Sequence, residues 1–476
     1  MISGFIRLIV CSVVVFCVGG LFADAKSNVP KYVFLFIGDG MSVPQRMTAN
    51  EFSIITGAGP LAMNTMPVTG MARTRSSNYL VTDSAAAGTA ISCGVKTNNG
   101  SLGVDSSGNK LFSCAEAAKK KGLKVGIISS VMITHATPAS FYAHRKARSD
   151  VKGIISDLVD SQFDFFGGGG FDITGKLCKH ASDIASQKGY KVIKTKEAFQ
   201  SLSKSEEKVI LDLMPGPMAN EIDAEYLENT TSNSQLRLVQ VFDKAIELLD
   251  NDKGFFIMCE GGRIDWACHG NDAATVLYDV LALDKCIKSA IEFAKSHPGE
   301  TLIVVTGDHE TGGMTMGFAG SGKYLYLERL ANQKMTVGLF NEEVANLFAE
   351  KKGNLDFDDV KPLISKSFGF SFLPTTQKGK LVLSQADIKP IQAAFEADIK
   401  KYRKNVEETK DYLKPLKYAL GNACRTVLMQ RAGVDWTSGT HTALPTMTTA
   451  LGVGQDKFSG FYENSHIGIV LKSFYE

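Results

Sequence analysis

Short runs of apolar residues recur along the chain, and acidic residues, histidines or glycines follow each of them. The runs are 32–37 before Asp39, 125–128 upstream of His135, 254–258 before Glu260, and 301–306 before Asp308 and His309. Continuous apolar runs of this length are typical of strands that are buried on both faces of a sheet. We therefore predict that each run is a buried strand with polar residues near its carboxyl end.

Between these runs, apolar positions repeat at helical spacing, from Leu238 to Leu249 and from Val276 to Ala294. Strands that alternate with helices predict an α/β fold, a three-layer α/β/α sandwich with a large, mostly parallel central sheet. Ligands of such sheets bind beyond the carboxyl ends of the strands, where the acidic residues and histidines lie.

The stretch from about 320 to 433 breaks this alternation. It is rich in Lys and Glu, with helical patterning from Ile388 to Tyr412. We predict a segment inserted near the active-site side of one domain that spans residues 26–476. A run of four glycines, Gly167 to Gly170, could cradle a phosphate, but no Lys-Ser/Thr pair follows it, which favours a flexible loop.

The first 25 residues differ from the rest of the chain. Arg7 precedes an uncharged run from Leu8 to Ala23, and Ala23-Asp24-Ala25 is a small-x-small cleavage pattern. The run is shorter than the roughly 20 apolar residues that a spanning helix needs, so we predict a signal peptide over residues 1–25. An uncleaved N-terminal anchor is the alternative. We expect an exported protein, periplasmic or secreted, with no transmembrane segment after cleavage.

The net charge and the cysteines of the chain argue against two classes of function, nucleic-acid binding and a cysteine-type zinc site. The formal net charge of +2 and the lack of a long basic block argue against a nucleic-acid partner. Of nine cysteines, Cys11 and Cys17 belong to the predicted signal peptide, which leaves seven. An odd number leaves one thiol free unless it pairs between chains. Because no Cys-x-x-Cys pair is present, a cysteine-type zinc site is disfavoured.

Candidate metal ligands follow the predicted strands. They are Asp39, Glu260, Asp308 and His309 near strand ends, with Asp265 and His269 four residues apart on a predicted helix. Each is ambiguous alone, since the Asp265–His269 spacing also fits an exposed helix pair. Several carboxylates at the ends of buried strands are costly unless cations neutralise them. Asp and His ligands without thiolates suit zinc, and carboxylate and hydroxyl oxygens suit magnesium.

A candidate nucleophile lies in the segment Thr82-Asp83-Ser84. Asp83 is typical of an N-cap, and the alanines after Ser84 are helix formers. Ser84 is then expected in the first helical turn, where free N–H groups and the helix dipole favour a phosphate. A metal could activate its hydroxyl in place of a histidine base. The alternative is an ordinary capped helix.

Arg148 is a candidate phosphate ligand, downstream of His135-Ala-Thr137-Pro. A guanidinium can hold a phosphate through two parallel hydrogen bonds, which a lysine cannot. Without such a partner, a single arginine on a helix is normally a surface residue.

Taken together, these segments resemble the alkaline phosphatase signature in order and spacing. They are Asp39, Thr82-Asp83-Ser84-Ala85, His135-Ala-Thr-Pro, Arg148, Glu260 to His269, Asp308-His309 and His441, and they extend over nearly the whole mature chain. The resemblance implies a metal-dependent phosphomonoesterase that acts through a phosphoserine at Ser84. It also implies small-molecule phosphomonoester substrates, and it admits a homodimer, which many family members form.

The resemblance further implies a role for each residue. Asp265, His269 and His441 hold a first zinc that activates water; Asp39, Asp308 and His309 hold a second zinc that activates Ser84; Asp39, Thr137 and Glu260 hold a magnesium-type ion; and Arg148 binds nonbridging oxygens. His441 is identified by the resemblance alone.

Two positions depart from the best-known bacterial pattern of the family. His135 stands where that pattern has an aspartate, so the third ion could be zinc or cobalt instead of magnesium. Trp266 stands where it has a lysine, which removes a charge near the phosphate and predicts weaker product binding.

Two other functions remain open from the sequence. A phosphodiesterase or sulfatase on the same scaffold would keep much of the metal-ligand set, but usually changes the nucleophile and the arginine. An exported protein that binds metal or phosphate without turnover is the second alternative, which the intact nucleophile disfavours.

Overall fold

The computed structural model describes residues 29–171, 176–204, 208–212, 218, 220–224, 236–318, 320–376, 381–409 and 419–476. The predicted signal peptide lies outside the described residues. Within the described ranges, no helix combines the length and the apolar character that a membrane crossing requires.

A ten-stranded sheet forms the centre of the molecule. In chain order the strands are β1 (Tyr32–Gly38), β2 (Val68–Arg73), β3 (Lys124–Ser129), β4 (Phe165–Gly167), β5 (Lys191–Ile193), β6 (Val209–Leu211), β7 (Phe255–Gly261), β8 (Thr301–Gly307), β9 (Glu310–Thr311), β10 (Met314–Met316), β11 (Phe370–Ser371), β12 (Leu381–Val382), β13 (Val434–Trp436), β14 (His441–Thr442), β15 (Thr446–Gly452) and β16 (Gly460–Glu463). In the described part of the chain, ten of these sixteen strands form the central sheet, in the order β16-β2-β15-β8-β1-β7-β3-β4-β6-β5. The other six form three two-stranded sheets, β10-β13, β11-β12 and β14-β9. Within the central sheet, strand β15 is antiparallel to both of its neighbours and every other pairing is parallel, so the predicted mostly parallel sheet is confirmed.

Helices cover both faces of this sheet. They are α1 (Val43–Ile55), α2 (Ser84–Cys93), α3 (Cys114–Lys120), α4 (Ala136–Ala139), α5 (Val151–Ser161), α6 (Lys176–Gln187), α7 (Lys196–Gln200), α8 (Leu238–Leu249), α9 (Arg263–His269), α10 (Ala273–Ser296), α11 (Val337–Glu350), α12 (Phe357–Phe368), α13 (Gln385–Thr409), α14 (Leu420–Ala432) and α15 (Ser465–Ser473). The helices predicted from Leu238 to Leu249 and from Val276 to Ala294 are confirmed as α8 and α10.

Alternate residues of β1 belong to two separate apolar cores. Phe34 and Phe36 pack into one core together with α8 and α10. Leu35 and Ile37 pack into the other, together with α3, α5 and α15. Because both faces of the strand are buried, both sets of positions must be apolar, which accounts for the uninterrupted hydrophobic run. The three-layer α/β/α fold is therefore confirmed.

The glycine run Gly167–Gly170 is buried. Gly167 ends β4, and the three glycines after it form a loop, whose flexibility stays a prediction. The N–H of Gly169 donates to the carbonyl of Val131 at 3.0 Å, and the carbonyl of Gly170 accepts from the N–H of Ile133, also at 3.0 Å. A Cβ on Gly168 would lie 2.9 Å from the Val131 carbonyl oxygen. The glycines allow this close approach to the segment that leads to His135.

Helices α11 to α14 occupy most of the stretch that breaks the strand–helix alternation. Their buried residues, among them Phe340, Ile364, Ile391 and Leu428, belong to the same apolar core as Phe34 and Phe36. The predicted helix around 388–412 is observed as α13 up to Thr409, and residues 410–418 lie outside the described ranges. That this stretch is an insertion stays a prediction.

Candidate active site

The polar residues predicted at strand ends do come together at one edge of the sheet. Strand β1 lies between β7 and β8, and Ile37 is in register with both Glu260 and Thr306. Asp39 follows β1 and Asp308 follows β8, so the carboxyl ends of three adjacent parallel strands place their carboxylates close together.

One cluster contains Asp39, Asp308 and His309. We call it the second site, because these are the residues that the family resemblance assigns to the second zinc. All three are fully buried, and His309 Nε2 lies 3.4 Å from Asp39 Oδ1 and 3.3 Å from Asp308 Oδ2. Asp308 Oδ1 accepts hydrogen bonds from the N–H groups of Gly40 and His309 at 3.1 and 2.8 Å. Asp308 Oδ2 and Asp39 Oδ1 have no hydrogen-bond partner. Unpartnered buried carboxylate oxygens fit a bound cation.

Ser84 lies directly against this cluster. Its Oγ is 3.2 Å from His309 Nε2, and the side chain is almost fully buried. Ser84 is the first residue of α2, and the N-cap predicted at Asp83 is observed, with Asp83 Oδ1 accepting from the N–H of Ala86 at 3.0 Å. The start of a capped helix therefore holds the serine hydroxyl beside the candidate metal ligands.

The first site contains Asp265, His269 and His441. On α9, as the spacing predicted, His269 Nε2 lies 3.3 Å from Asp265 Oδ2. His269 Nε2 and His441 Nε2 are 3.2 Å apart. The Nδ1 atoms of the two histidines face the carbonyls of Gly439 and Thr82, at 2.8 and 2.9 Å. In a neutral ring, an Nδ1–H that donates to such a carbonyl leaves Nε2 unprotonated, the form that binds a metal. Without a metal, the Asp265 carboxylate favours a proton on His269 and raises its pKa.

The third site brings Asp39 and Glu260 together with His135. Thr137 Oγ1 lies 3.4 Å from Asp39 Oδ2, as expected for a shared ligand set. Glu260 Oε1 and His135 Nδ1 are buried without a hydrogen-bond partner, and the hydroxyl of Ser129 donates to Glu260 Oε2. The groups that could ligate a metal ion at this site are therefore carboxylate and hydroxyl oxygens, with one adjacent imidazole.

Arg148 lies beside these sites, in a turn before α5. Its Nη1 donates to Asp83 Oδ2 at 3.3 Å, and its Nη2 is 3.2 Å from His135 Nε2. The rings of Trp266 and His135 are nearly perpendicular, with centroids 5.9 Å apart. Asp83, the N-cap of α2, thus orients the Arg148 guanidinium.

Burial perturbs the acidic groups strongly. It raises the pKa of Asp39 well above its usual range and raises the pKa of both Glu260 and Asp308 to about 7. Burial alone would also raise the pKa of Asp265, but the hydrogen bond from His269 and the nearby histidines lower it below its usual range. Without cations, several of these carboxyls favour a proton, and a divalent cation would offer the same neutralisation.

The histidines divide into two groups. Burial lowers the pKa of His309 and His441, and it lowers the pKa of His135 to about 3, so these rings are neutral at physiological pH. The hydrogen bond with Asp265 raises the pKa of His269 to about 9. Neutral imidazoles are the form that ligates zinc.

The sequence did not predict two hydroxyl groups that support these carboxylates. Ser129 donates a hydrogen bond to Glu260, and Thr311 donates one to Asp265. No sequence motif identifies a hydroxyl that contacts a metal ligand without contacting the metal. Thr311 stands two residues after the candidate ligand His309, and this closeness in the chain is the one signal that could have found it.

The sheet thus carries three clusters of carboxylate and imidazole groups that could hold metal ions, and the hydroxyl of Ser84 lies beside one of them at the start of a helix. Residues 30–476 match the family model described as Alkaline phosphatase. The chain therefore belongs to the alkaline phosphatase family, and it is an enzyme of that class.

Individual relatives agree with this assignment. Alkaline phosphatase 4 of Bacillus subtilis is 31% identical over 446 residues, covering 91% of this chain and 86% of the relative. A cold-active alkaline phosphatase from Shewanella shares the fold, with a TM-score of 0.76 and 24% identity over 94% of this chain and all of that chain. A mutant alkaline phosphatase of the Antarctic bacterium TAB5, with aspartate in place of a histidine and Mg bound in its M3 site, is 26% identical with a TM-score of 0.63, covering 94% and 98% of the two chains.

Proposed function

We propose that this enzyme hydrolyses small-molecule phosphate monoesters through a covalent phosphoserine at Ser84. The observation that carries the proposal is the position of Ser84 Oγ, 3.2 Å from His309 Nε2 at the helix start whose N-cap, Asp83, also holds Arg148. Nucleophile, cation ligands and a phosphate-binding guanidinium thereby converge on one point.

The three clusters are proposed to hold three divalent cations. The ligands would be Asp265, His269 and His441 for a first zinc; Asp39, Asp308 and His309, with Ser84, for a second zinc; and Asp39, Thr137 and Glu260 for a third ion. When bound, the zinc ions would supply Lewis-acid charge that lowers the pKa of the serine hydroxyl and of the attacking water. The orphaned oxygens of Asp39, Asp308 and Glu260 support this assignment.

For the third ion we propose that His135 decides the metal. An imidazole beside carboxylates favours zinc or cobalt, whereas carboxylates alone favour magnesium. The TAB5 enzyme that carries aspartate in place of a histidine has Mg in its M3 site. That observation supports magnesium as the ion for an all-oxygen version of this site, with His135 shifting the preference in the present chain.

The residues themselves perform the following steps. The hydroxyl of Ser84 loses its proton to water, and its oxygen attacks phosphorus. The bond between phosphorus and the ester oxygen breaks, the leaving alkoxide takes a proton from water, and a phosphoserine forms. Arg148 and the free N–H groups at the start of α2 hold the nonbridging oxygens throughout. Water then attacks phosphorus on the side of His269, which is the most exposed metal ligand, and the bond to Ser84 breaks. Two in-line displacements leave the configuration at phosphorus unchanged.

Substrate range and product binding follow from the same contacts. Because the polar groups address the phosphoryl group and not the alcohol, we propose broad specificity for monoesters. Trp266 carries no charge beside the phosphate, so we propose that inorganic phosphate binds weakly and leaves readily.

Relative rates on three substrates test the reaction class. An aryl phosphate, its methyl diester and the corresponding aryl sulfate are compared with zinc-loaded enzyme. The proposal predicts the fastest turnover for the monoester and its loss in Ser84→Ala. A faster diester or sulfate would instead favour a phosphodiesterase or sulfatase, and zinc binding without turnover of any of the three would favour a binding protein.

We propose further that residues 1–25 are removed on export to the periplasm or medium, that residues 26–476 form one catalytic unit with an insertion at about 320–433, and that two copies form a homodimer. N-terminal sequencing of the mature protein, with Lys26 as the expected first residue, tests cleavage. Analytical ultracentrifugation tests the dimer, and a sedimentation coefficient of a single chain at all concentrations would contradict it.

A further inference from the structure

A turn from Asn98 to Ser101 lies between the nucleophile and Arg148. The N–H of Ser101 donates to the carbonyl of Asn98 at 3.1 Å, and Gly100 has a φ of +86°. This is the pattern of a type II turn, in which the third residue requires the left-handed region. A Cβ at Gly100 would meet no atom within 4 Å, so glycine is needed there for its backbone conformation and not for space.

The side chain of Asn99 reaches from this turn to the segment before the nucleophile. Its Oδ1 accepts a hydrogen bond from the N–H of Asp83, and its Nδ2 donates to the carbonyl of Val81, both at 3.1 Å. One amide thus grips the backbone on either side of Thr82. We call this pair of hydrogen bonds the amide clamp.

The residue inside the amide clamp contacts a metal ligand. The carbonyl of Thr82 faces Nδ1 of His441 at 2.9 Å and so orients the ring towards the first site. Ser84 follows one residue after the clamp. Fixing the backbone from Val81 to Asp83 therefore fixes the position of the Thr82 carbonyl, which orients the His441 ring. It also fixes the start of α2, where Ser84 lies.

Gly100, next to Asn99 in the turn, holds Arg148. The N–H of Gly100 donates to Asp83 Oδ2 at 3.0 Å, and its carbonyl accepts from the N–H of Arg148 at 2.7 Å. The same Oδ2 of Asp83 accepts from Arg148 Nη1 at 3.3 Å. A single turn thereby connects the nucleophile segment to both the backbone and the guanidinium of the arginine.

We propose that Asn99 is a positioning residue that fixes Ser84, Arg148 and His441 relative to one another. This inference rests on the proposed phosphomonoesterase function, because the geometry of an in-line displacement is what the clamp would protect. Rate losses of about 100-fold follow from misplacements near 1 Å at such sites. Asn99 makes no contact with the reacting atoms in this account and acts through the backbone that it holds.

Asn99→Ala tests the proposal, with Asn98→Ala as the matched control. Asn98 is the preceding residue, and its side chain donates to the carbonyl of Ser106 at 3.3 Å, not to the nucleophile segment. For Asn99→Ala we expect kcat/KM on an aryl phosphate to fall about 10- to 100-fold, the size typical when a support of a catalytic group is removed. We also expect a higher inhibition constant for inorganic phosphate, with both quantities unchanged in Asn98→Ala.

Two further readouts separate positioning from a general loss of structure. In the metal-free protein, the amide hydrogen of Asp83 should exchange faster in Asn99→Ala than in Asn98→Ala, while amides of the β1 core exchange equally. Combining Asn99→Ala with Arg148→Ala should cost less than the product of the two single losses, because the residues act as one unit.

The proposal is overturned if Asn99→Ala and Asn98→Ala have the same kcat/KM and phosphate inhibition, with zinc-loaded wild type active and Ser84→Ala inactive. If Ser84→Ala kept full activity, the proposed function itself would fail, which is a different outcome. Should Asn99→Ala not fold, Asn99→Asp keeps the acceptor for Asp83 but loses the donor to Val81, and it answers the same question.

Discussion

The hydroxyl of Thr311 donates a hydrogen bond to Asp265 Oδ1 at 2.6 Å, and the Oγ1 atom of this hydroxyl lies 3.2 Å from Nδ1 of His309. Asp265 belongs to the first site and His309 to the second. One buried hydroxyl therefore contacts ligands of both proposed zinc sites and orients them together.

We predict that Thr311→Val weakens both sites while leaving the fold intact, because valine keeps the shape but removes the hydroxyl. Zinc affinity and kcat/KM should each fall about 10- to 100-fold, as found for outer-shell partners of metal ligands. Chelator competition and steady-state kinetics measure the two quantities. Thr315→Val is the matched control, since that hydroxyl donates to the carbonyl of Gly317. Equal behaviour of the two variants would show that Thr311 has no influence on the metals.

Replacing Arg148 tests the phosphate contact. In Arg148→Lys the charge remains, but the fork that can hold two phosphate oxygens is lost. We expect the inhibition constant of inorganic phosphate to rise about 10- to 100-fold, equivalent to about 1.4–2.8 kcal/mol. Arg145→Lys serves as the control because Arg145 pairs with Asp157 and the carbonyl of Gly153. An unchanged inhibition constant in Arg148→Lys would remove the arginine from the phosphate site.

Metal removal should expose the cost of the buried carboxylates. The folded pKa of Asp308 is about 7, raised by burial from a usual value of 3.8, so the folded state holds this proton more tightly than the unfolded state. Its contribution to stability is therefore full below the unfolded pKa and is lost as the pH rises through the folded pKa. Metal-free enzyme should need less denaturant to unfold at pH 8 than at pH 6, and zinc should restore the stability at pH 8.

Asp308→Asn is the matched variant for that experiment. Both hydrogen bonds to the carboxylate are accepted by Oδ1, which the amide keeps, and the amide cannot ionise. We expect the metal-free variant to be more stable than metal-free wild type at pH 8, and to gain little from zinc. Identical pH dependence of the two metal-free proteins would mean that Asp308 is not the source of the loss.

The third site offers a prediction on metal choice. His135→Asp replaces an imidazole by a carboxylate oxygen, the ligand that magnesium prefers. We expect added magnesium to stimulate the zinc-loaded variant more strongly than wild type. Trp266→Phe, which changes the aromatic neighbour of His135 without adding a carboxylate, is the control. A magnesium response in His135→Asp no larger than in Trp266→Phe would argue against His135 as the deciding residue.

Local patterns predicted much of this structure. The buried strands, helices α8 and α10, the N-cap at Asp83 and the Asp265–His269 pair all depend on residues close together in the chain, where spacing determines geometry. The meeting of Asp39, Glu260 and Asp308 could also be predicted, because parallel strands bring their carboxyl ends to one edge.

Long-range contacts could not be predicted in the same way. His441 reaches the first site because β14 pairs with β9, which puts His441 opposite Thr311, and no local pattern specifies that pairing. The sequence does not predict the amide clamp of Asn99 either, since asparagine is common in turns. The burial of Gly167–Gly170 depends on the neighbouring 131–133 segment, which composition alone does not reveal.

Acid-quenched peptide mapping shows whether Ser84 carries phosphate during turnover. Zinc-loaded enzyme is mixed with an excess of aryl phosphate, quenched in acid within the first turnovers and analysed by mass spectrometry. A phosphoserine mechanism predicts a phosphate on the peptide that contains Ser84, absent from Ser84→Ala and from metal-free enzyme. Active enzyme that carries phosphate on another residue, or a Ser84→Ala variant that still hydrolyses the monoester at the wild-type rate, would contradict it.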